Sequence, residues 1–260
     1  MRMFLVPVLV TVAAGSAAAA DWTRPAVPLA IDGRGGITVG VRVNGHGPFK
    51  FILDTGASRS IVSDDLAREL GAPVVAKSEV VTSAGSAMSL VVRLTSVELA
   101  SARADALLAP VIPTARLVQI GHGIRGLLGQ DFLSAFNYTL DYRRGRLTWD
   151  DAVSCDAADA VRMTAAEGRF VMALQDGRGG PLRLVPDSGA EVTVLFSGRL
   201  PRADVTRVRV GSVTLRDLRV VAVTRDDPNA DGLLPLHGFA AVSFAAGGSC
   251  LIARTESPSR

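Results

Sequence analysis

Apolar and polar residues alternate in short runs along the first half of the chain, and this pattern predicts β-strands. Ile37 to Val43 alternates apolar with small or polar side chains, and Phe49 to Leu53 follows as a second run. Asn44-Gly45 lies between them and favours the tight turn of a β-hairpin. Strand-like residues then dominate from Val74 to Leu99. The pattern is typical of a β-rich protein.

One short helix is predicted from Ser63 to Leu70. Ser63 can cap its first turn, the acidic Asp64 suits the positive end of the helix dipole, and Gly71 ends it. Two further elements are predicted, a short helix at Gln130 to Phe136 and a hairpin of Asn137 to Leu140 with Arg146 to Trp149.

Three sequence blocks occur twice and in the same order. Phe51 to Ser58 matches Leu184 to Glu191, Arg93 to Arg103 matches Arg209 to Arg219, and Arg125 to Leu128 matches Asp231 to Leu234. Three matches in one order are hard to obtain by chance, so the chain is predicted to contain two copies of one β-rich unit. The copies join near Val153 to Val161.

Each copy has an apolar strand that ends in Asp, a small hydroxyl residue and Gly, at Asp54-Thr55-Gly56 and Asp187-Ser188-Gly189. Glycine permits a tight turn, and the hydroxyl groups can hold that turn by hydrogen bonds. A single such turn is equally compatible with a purely structural Asp. Two copies related by pseudo-twofold packing would bring two carboxyl groups together, to share one proton and act as one base and one acid.

These motifs resemble those of the retropepsin-like aspartic proteases, in the single-chain, two-lobed form found in bacterial secreted proteins. The resemblance is carried by Asn44 to Phe49, which leads into the first Asp-Thr-Gly, and by the apolar-apolar-Gly motif in Gly126 to Leu133. It implies an all-β fold of two homologous retropepsin/pepsin-like β-barrel lobes around a central cleft. It also implies an aspartic-type endopeptidase that needs no cofactor and hydrolyses a polypeptide substrate. The residues implied are the catalytic pair Asp54 and Asp187, supported by Thr55, Gly56, Ser188 and Gly189.

The second copy departs from the family pattern at two places. Pro186 stands where an apolar strand residue is usual, and proline disfavours a central strand because it lacks an N–H group. Pro235-Leu236-His237 follows the second Gly-Leu-Leu, in place of the Gly found in the first copy. Two alternatives therefore stay open. One is a catalytically silent peptide-binding module, and the other is a homodimeric protease that uses two copies of Asp54.

The start of the chain reads as a secretory signal peptide. Arg2 is followed by an apolar stretch from Met3 to Ala14 and by small residues from Ala18 to Ala20. The alternative is an uncleaved membrane anchor, but the apolar stretch is shorter than the roughly 20 residues of a spanning helix. We expect a periplasmic or secreted protein. The expected domains are the signal peptide (1–20), an N-terminal segment (21–36), an N-terminal lobe (37–152), a linker (153–160) and a C-terminal lobe (161–256).

Two further features are predicted from the positions of particular residues. Cys155 and Cys250 are expected to form a disulfide, because two thiols that enter an oxidising compartment more often pair than stay free. The longer spacing between the matched blocks of the first copy predicts a mobile hairpin, or flap, at Glu79 to Met88. Its tip is Ser83, Ala84, Gly85 and Ser86. The alternative is an ordinary surface hairpin.

Several functions are disfavoured by composition and spacing. The net charge of +3 comes from scattered arginines without interleaved aromatic residues, which argues against nucleic-acid binding. His46, His122 and His237 lie far apart in sequence, and no spacing suggests a metal site. Acidic residues outside the pair, such as Asp226 and Asp227, are interpreted as caps or as residues of solvated turns. A monomer is expected, since one chain carries both Asp-Gly turns.

Overall fold

A computed structural model describes residues 26–33, 35–82, 85–196, 205–225 and 227–256. The predicted signal peptide lies outside the described residues. Most described residues form β-strands, and the predicted all-β class is confirmed. The first half contains β1 (Val27–Pro28), β2 (Ala30–Ile31), β3 (Ile37–Val43), β4 (His46–Leu53), β5 (Ile61–Ser63), α1 (Asp64–Glu69), β6 (Val74–Thr82), β7 (Gly85–Leu99), β8 (Ala102–Ile112), α2 (Thr114–Ile120), β9 (Gly126–Leu128), α3 (Gln130–Leu133), β10 (Asn137–Asp141) and β11 (Arg146–Asp150).

The second half consists mainly of short strands. They are β12 (Ala160–Ala166), β13 (Arg169–Gln175), β14 (Pro181–Asp187), β15 (Thr193–Phe196), β16 (Val208–Val210), β17 (Val213–Leu215), β18 (Val220–Val223), β19 (Gly232–Pro235), β20 (Ala241–Phe244) and β21 (Cys250–Arg254).

Each half contains the same crossed arrangement of four strands. In the first half β4 and β9 are parallel, β9 and β5 are antiparallel, and β5 and β8 are parallel. In the second half β14, β19, β15 and β18 follow one another in the same order and with the same directions. The first set belongs to an eight-stranded sheet, and the second to an eleven-stranded sheet. In both sets the strand that ends in the Asp-Gly turn is therefore flanked by the apolar Gly-Leu-Leu strand.

The glycine of each Gly-Leu-Leu strand is required by close contact with the strand beside it. A Cβ atom on Gly126 would lie 2.5 Å from the carbonyl oxygen of Ile61, and one on Gly232 would lie 2.0 Å from that of Val194. Any side chain at either position would push the neighbouring strand away. The matched sequence blocks thus contain glycine where the packing demands it.

Strands from both halves meet in the middle of the eleven-stranded sheet. There β11, β10, β20, β21 and β12 lie side by side in that order. One hydrophobic core extends across both halves and contains buried residues from Val27 to Ala253. A disulfide joins Cys155, before β12, to Cys250 at the start of β21. The predicted pairing of the two cysteines is confirmed.

Local signals predicted several elements well. Helix α1 has Ser63 as its N-cap, and the Ser63 side chain accepts a hydrogen bond from the Leu66 N–H. Gly71 follows the helix in a left-handed conformation, with φ of +57°. Asn44 and Gly45 form the tight turn between β3 and β4, both with positive φ. The helix predicted at Gln130 to Phe136 is shorter, since α3 ends at Leu133.

The interpretation of Pro186 as unfavourable in a central strand is wrong. Pro186 lies in β14, in register with Leu234 of β19. The pairing of β14 with β13 on the other side has already ended at Leu184. The Pro186 carbonyl group instead accepts a hydrogen bond from the Thr55 hydroxyl group, at 2.8 Å. No neighbouring strand therefore needs the N–H group that proline lacks.

Within the residues that the structure describes, no helix has the length and the apolar character needed to cross a membrane.

Candidate active site

The first Asp-Gly turn begins where β4 ends. The Asp54 N–H group donates to the carbonyl oxygen of Leu128, at 3.0 Å, which fixes the start of the turn. One oxygen of the Asp54 carboxyl group, Oδ1, accepts hydrogen bonds from the N–H groups of Gly56, at 2.9 Å, and Ala57, at 3.0 Å. The carboxyl group is thus oriented by its own turn through Oδ1, and Oδ2 takes no part in these two hydrogen bonds.

The second turn repeats this arrangement at the end of β14. Asp187 Oδ1 accepts hydrogen bonds from the N–H groups of Gly189, at 2.7 Å, and Ala190, at 3.1 Å. The same pair of backbone donors, two and three residues after the Asp, therefore orients both carboxyl groups. Asp187 is buried, with 7% of its surface exposed, whereas Asp54 is half-buried.

The two turns are joined by a reciprocal set of hydrogen bonds. The Thr55 N–H group donates to the Ser188 hydroxyl oxygen at 3.0 Å, and the Ser188 N–H group donates to the Thr55 hydroxyl oxygen at 2.9 Å. Each hydroxyl group also donates across to the other turn, Thr55 to the carbonyl oxygen of Pro186 and Ser188 to that of Leu53. All four bonds are buried. Each turn therefore satisfies the polar groups of the other.

Glycine brings the two carboxyl groups close together. A Cβ atom on Gly56 would lie 2.5 Å from the carboxyl carbon of Asp187, and one on Gly189 would lie 3.0 Å from that of Asp54. Each carboxyl group thus packs on the glycine of the opposite turn. A larger residue at either glycine would separate the pair.

Burial and mutual charge shift the titration of both groups. Burial raises the pKa of Asp54 and raises the pKa of Asp187 well above its ordinary value. The negative charge of Asp54 raises the pKa of Asp187 further. A hydrogen bond between the two carboxyl groups acts in opposite directions, since it lowers the pKa of Asp54 and raises that of Asp187. The arrangement therefore favours one shared proton, held mainly by Asp187.

Residues that the sequence did not point to support the first turn from below. The Ser60 hydroxyl group donates to Asp131 at 2.6 Å and accepts from the Gly129 N–H group at 3.0 Å. The Gln130 side chain donates to the carbonyl oxygen of Thr55 at 2.8 Å. The available signal was the polar pair Gln130-Asp131 directly after an apolar strand, because polar residues at buried positions usually have a specific partner.

The corresponding support is missing beneath the second turn. By strand register, Thr193 corresponds to Ser60, Pro235 to Gly129, Leu236 to Gln130 and His237 to Asp131. The Thr193 hydroxyl group is buried and has no hydrogen-bond partner among the described residues. Pro235 has no N–H group to donate to it, and the side chain of His237 is exposed. The altered motif of the second copy thus removes a set of hydrogen bonds and leaves the turn itself intact.

The hairpin predicted at Glu79 to Met88 is formed by β6 and β7. The two strands pair up to Thr82 and Gly85. Ser83 and Ala84, in the predicted flap tip, lie outside the described residues. Ser86 is exposed and in register with Val81, and the Met88 side chain is 68% exposed.

Of the two interpretations of Asp227, the solvated turn is wrong, whereas the cap agrees with the structure, because its Oδ1 accepts hydrogen bonds from the N–H groups of Asn229 and Ala230. Asp227 is buried, and its carboxyl group accepts a hydrogen bond from the equally buried Arg169 at 2.7 Å. Arg225 lies 3.6 Å from the same carboxyl oxygen. Asp226, its neighbour, lies outside the described residues. Arg225 is a near neighbour in sequence, but Arg169 is 58 residues away, and no local pattern could reveal this partner.

The described residues hold no group of three or more His, Cys, Asp or Glu side chains that could bind a metal ion.

Comparison with known proteins gives a family match in the first half of the chain. The aspartyl protease family matches residues 39–132. A crystal structure of a retropepsin-like aspartic protease from Rickettsia conorii is 21% identical in sequence, with a TM-score of 0.36. That match covers 48% of this chain and 89% of the other. No curated protein matches the chain. The family match supports a hydrolase of the protease class and confirms the resemblance of this chain to the retropepsin-like aspartic proteases.

Proposed function

We propose that the protein is an aspartic endopeptidase whose dyad, Asp54 and Asp187, forms within one chain. The observation that carries the proposal is the packing of each carboxyl group on the glycine of the opposite turn. The crossed hydroxyl bonds of Thr55 and Ser188 support it, because they fix the relative position of the two turns. On this proposal residues 37–152 and 161–256 are the two lobes.

The two carboxyl groups divide the chemistry between base and acid. Asp54, the more exposed, stays ionised and takes a proton from a water molecule as its oxygen attacks the carbonyl carbon of the peptide. Asp187, the buried and protonated partner, gives its proton to the carbonyl oxygen. The tetrahedral intermediate collapses when Asp54 gives the proton it took from water to the amide nitrogen and Asp187 takes a proton back from a hydroxyl group of the intermediate, as the C–N bond breaks. Such proton sharing is the known behaviour of aspartic proteases.

The substrate is an extended polypeptide. Its backbone pairs with strand edges beside the dyad, and alternate side chains enter pockets on either side. On this proposal the β6–β7 hairpin, whose tip is predicted from the sequence at Ser83 to Ser86, covers the bound peptide as a flap. Exposed apolar residues on the hairpin, such as Met88, are suited to contact a substrate.

The export of the protein is supported by two features. Residues 1–20 have the composition of a signal peptide, and the Cys155–Cys250 disulfide is stable in an oxidising compartment. We therefore place the mature enzyme in the periplasm or outside the cell, as a monomer.

One observation favours the alternative of a silent peptide-binding module. The buried hydroxyl group of Thr193 lacks the partners that its counterpart Ser60 has, so the second turn has weaker support. The homodimer alternative would pair two copies of Asp54 and leave Asp187 without a role.

Two single variants test the proposal. Asp54→Asn and Asp187→Asn should each lower kcat/KM on an unfolded protein substrate by about 10² to 10⁴-fold, because each removes one partner of the proton transfer. Asp105→Asn, at an exposed position away from the dyad, is the control and should keep full activity. Circular dichroism checks that the fold is kept, and sedimentation gives the oligomeric state.

The outcomes separate the three candidates. Loss of activity in both variants with a monomeric wild type supports the proposal. An active Asp187→Asn variant in a dimeric protein would replace it by the homodimer. If the wild type cleaves nothing from pH 3 to pH 7, a range set by the ordinary titration of carboxyl groups, the binding module is favoured instead.

A further inference from the structure

His237 occupies the position that Asp131 occupies in the first half, but its environment is different. The Asp131 carboxyl group accepts hydrogen bonds from the Ser60 hydroxyl and N–H groups. His237 follows β19, whose last residue, Pro235, is in register with Asp187. His237 keeps part of its surface exposed, and the Thr193 hydroxyl group, the counterpart of that of Ser60, makes no hydrogen bond to it. The imidazole lies two residues from the strand that supports the second dyad turn.

The loop between β2 and β3 packs on this imidazole ring. Gly35 has a φ of +93°, and a Cβ atom there would lie 2.4 Å from Cγ of His237. The backbone of the loop therefore rests directly on the ring, a contact that only glycine allows. Two hydrogen bonds close the loop. The Asp32 N–H group donates to the carbonyl oxygen of Gly36, and the Gly36 N–H group donates to the carboxyl group of Asp32.

Three charged residues from three different elements lie around His237. Asp32 belongs to the loop before β3, Glu191 lies just past the second dyad turn, and Arg219 precedes β18. Burial by the loop and the positive charge of Arg219 lower the pKa of His237, and the two acidic groups oppose this shift only in part. The contact with the loop therefore favours the neutral form of the imidazole.

We propose that His237 is a positioning residue for Asp187: it braces the second dyad turn against Asp32, Gly35 and Gly36, and it releases this brace when the imidazole becomes charged. The role is absent from the first half, where hydrogen bonds between Ser60 and Asp131 support the turn. The effect of His237 on catalysis rests on the proposed protease function. The brace itself rests on the packing of Gly35 against the imidazole ring. Because a charged ring is less stable beneath the loop, the brace opens as the pH falls.

The brace is measured first without any substrate. Amide hydrogen exchange, corrected for the intrinsic pH dependence of exchange, reports the protection of Asp32, Gly35 and Gly36 in the loop. The same experiment reports Gly189 and Ala190, whose N–H groups bind Asp187. In the wild type, protection of both groups should fall together with one midpoint, at a pH below the ordinary imidazole value of about 6.5.

Two variants and one control test whether His237 sets the pH midpoint of amide protection. Arg219→Gln removes the positive charge, so the midpoint should move to higher pH. His237→Gln has no titrating ring, so protection should stop depending on pH in this range. His46→Gln, at an exposed turn on the other side of β3, should behave as the wild type. NMR titration of the three histidines, assigned with these variants, identifies the group that sets the midpoint.

The kinetic measurement then tests the link to catalysis. Below the midpoint, kcat/KM of the wild type should fall by about tenfold, less than the 10²-fold that a 1 Å misplacement of a catalytic group costs. The inflection should move with Arg219→Gln and vanish in His237→Gln.

Three results would overturn the inference. They are loop protection that does not change with pH in the wild type, a midpoint that Arg219→Gln leaves in place, and Gly189 and Ala190 protection that does not follow the loop. A protein that cleaves no substrate but shows the coupled midpoint would refute the protease proposal and keep the brace. Active protein without the inflection would refute the positioning role alone.

Discussion

The turns at Asp54 and Asp187 have the same hydrogen bonds within them but different residues beneath them. The first rests on directional hydrogen bonds, from Ser60 to Asp131 and from Gln130 to the carbonyl oxygen of Thr55. The second has an unpartnered Thr193 at the matching place. Its half is held instead by a buried ion pair and by the disulfide. One geometry can thus be maintained by two kinds of support, which should respond differently to reductant, acid and mutation.

The largest expected effect is that of the disulfide, which lies in the second half and its linker. In the chain-entropy model, a closed loop of 95 residues stabilises the fold by about 4 to 5 kcal/mol. Urea unfolding with and without a thiol reductant should show this loss. The Cys155→Ser/Cys250→Ser double variant is the control, because its stability must not depend on reductant. Equal stability of the reduced and oxidised wild type would contradict the assignment.

Arg169→Met should destabilise the fold by about 3 to 5 kcal/mol at neutral pH, because Asp227 is left buried without its main partner. Burial opposes the ionisation of Asp227, but the bond and charge of Arg169 outweigh it and lower the pKa. A carboxyl group with a lowered folded-state pKa adds stability above its unfolded value of about 3.9, which is lost as the pH falls through the folded value. Wild type and variant should therefore converge in acid.

The control for that variant is Arg162→Met. Arg162 pairs with Asp156 on the surface, with side chains 70% and 92% exposed, so its loss should cost less than about 1 kcal/mol. The free energy of unfolding of both variants is measured by chemical unfolding at pH 7. Equal losses would show that the buried ion pair stabilises the fold no more than the exposed one.

Ser60→Ala and Thr193→Val form a matched pair across the two halves. Ser60→Ala leaves the Gly129 N–H group without its acceptor and Asp131 without its hydroxyl donor, and should cost about 1 to 3 kcal/mol. Thr193→Val removes a buried hydroxyl group that has no partner, so stability should be unchanged or higher. Unfolding midpoints of both variants give the comparison. A cost of Thr193→Val as large as that of Ser60→Ala would contradict the unpartnered state of the Thr193 hydroxyl group.

The smallest effect is expected for Gln130→Leu, which gives the first turn the residue found beneath the second. It frees the carbonyl oxygen of Thr55, at a cost of about 0.5 to 1.5 kcal/mol. Activity should fall only slightly, since Leu236 already occupies the matching place beneath Asp187. A large loss of kcat/KM with an unchanged unfolding midpoint would assign Gln130 a direct part in catalysis.

Much of the fold could be predicted because its signals are local. The turn at Asn44-Gly45, the Ser63 cap of α1 and the glycine after it depend on neighbours within a few residues. The matched Asp-Gly turns were visible as a repeat, and repetition indicated that they meet. Helix α2 had no such signal, because Pro113 at its N-cap offers no side-chain hydrogen bond.

What the sequence could not provide were contacts between distant positions. Ser60 and Asp131 are separated by 71 residues, and Arg169 and Asp227 by 58. Nothing near Asp227 distinguishes a buried ion-paired carboxylate from a solvated one. The loss of support beneath the second turn was indicated only by the letters Pro235 and Leu236. Only the structure shows that these two residues lie beneath Thr193 and leave its hydroxyl group without a partner among the described residues.

The crossed hydroxyl bonds of Thr55 and Ser188 also determine when a growing chain can become active. During synthesis the first turn emerges well before the second, and its Thr55 N–H and hydroxyl groups have no partner until residues 186–188 arrive. A partly made chain therefore has one carboxyl group and an incompletely bonded turn. On the proposed mechanism, it cannot cleave itself or its neighbours. Completion of the second half is then what switches on hydrolysis, without any separate inhibitor.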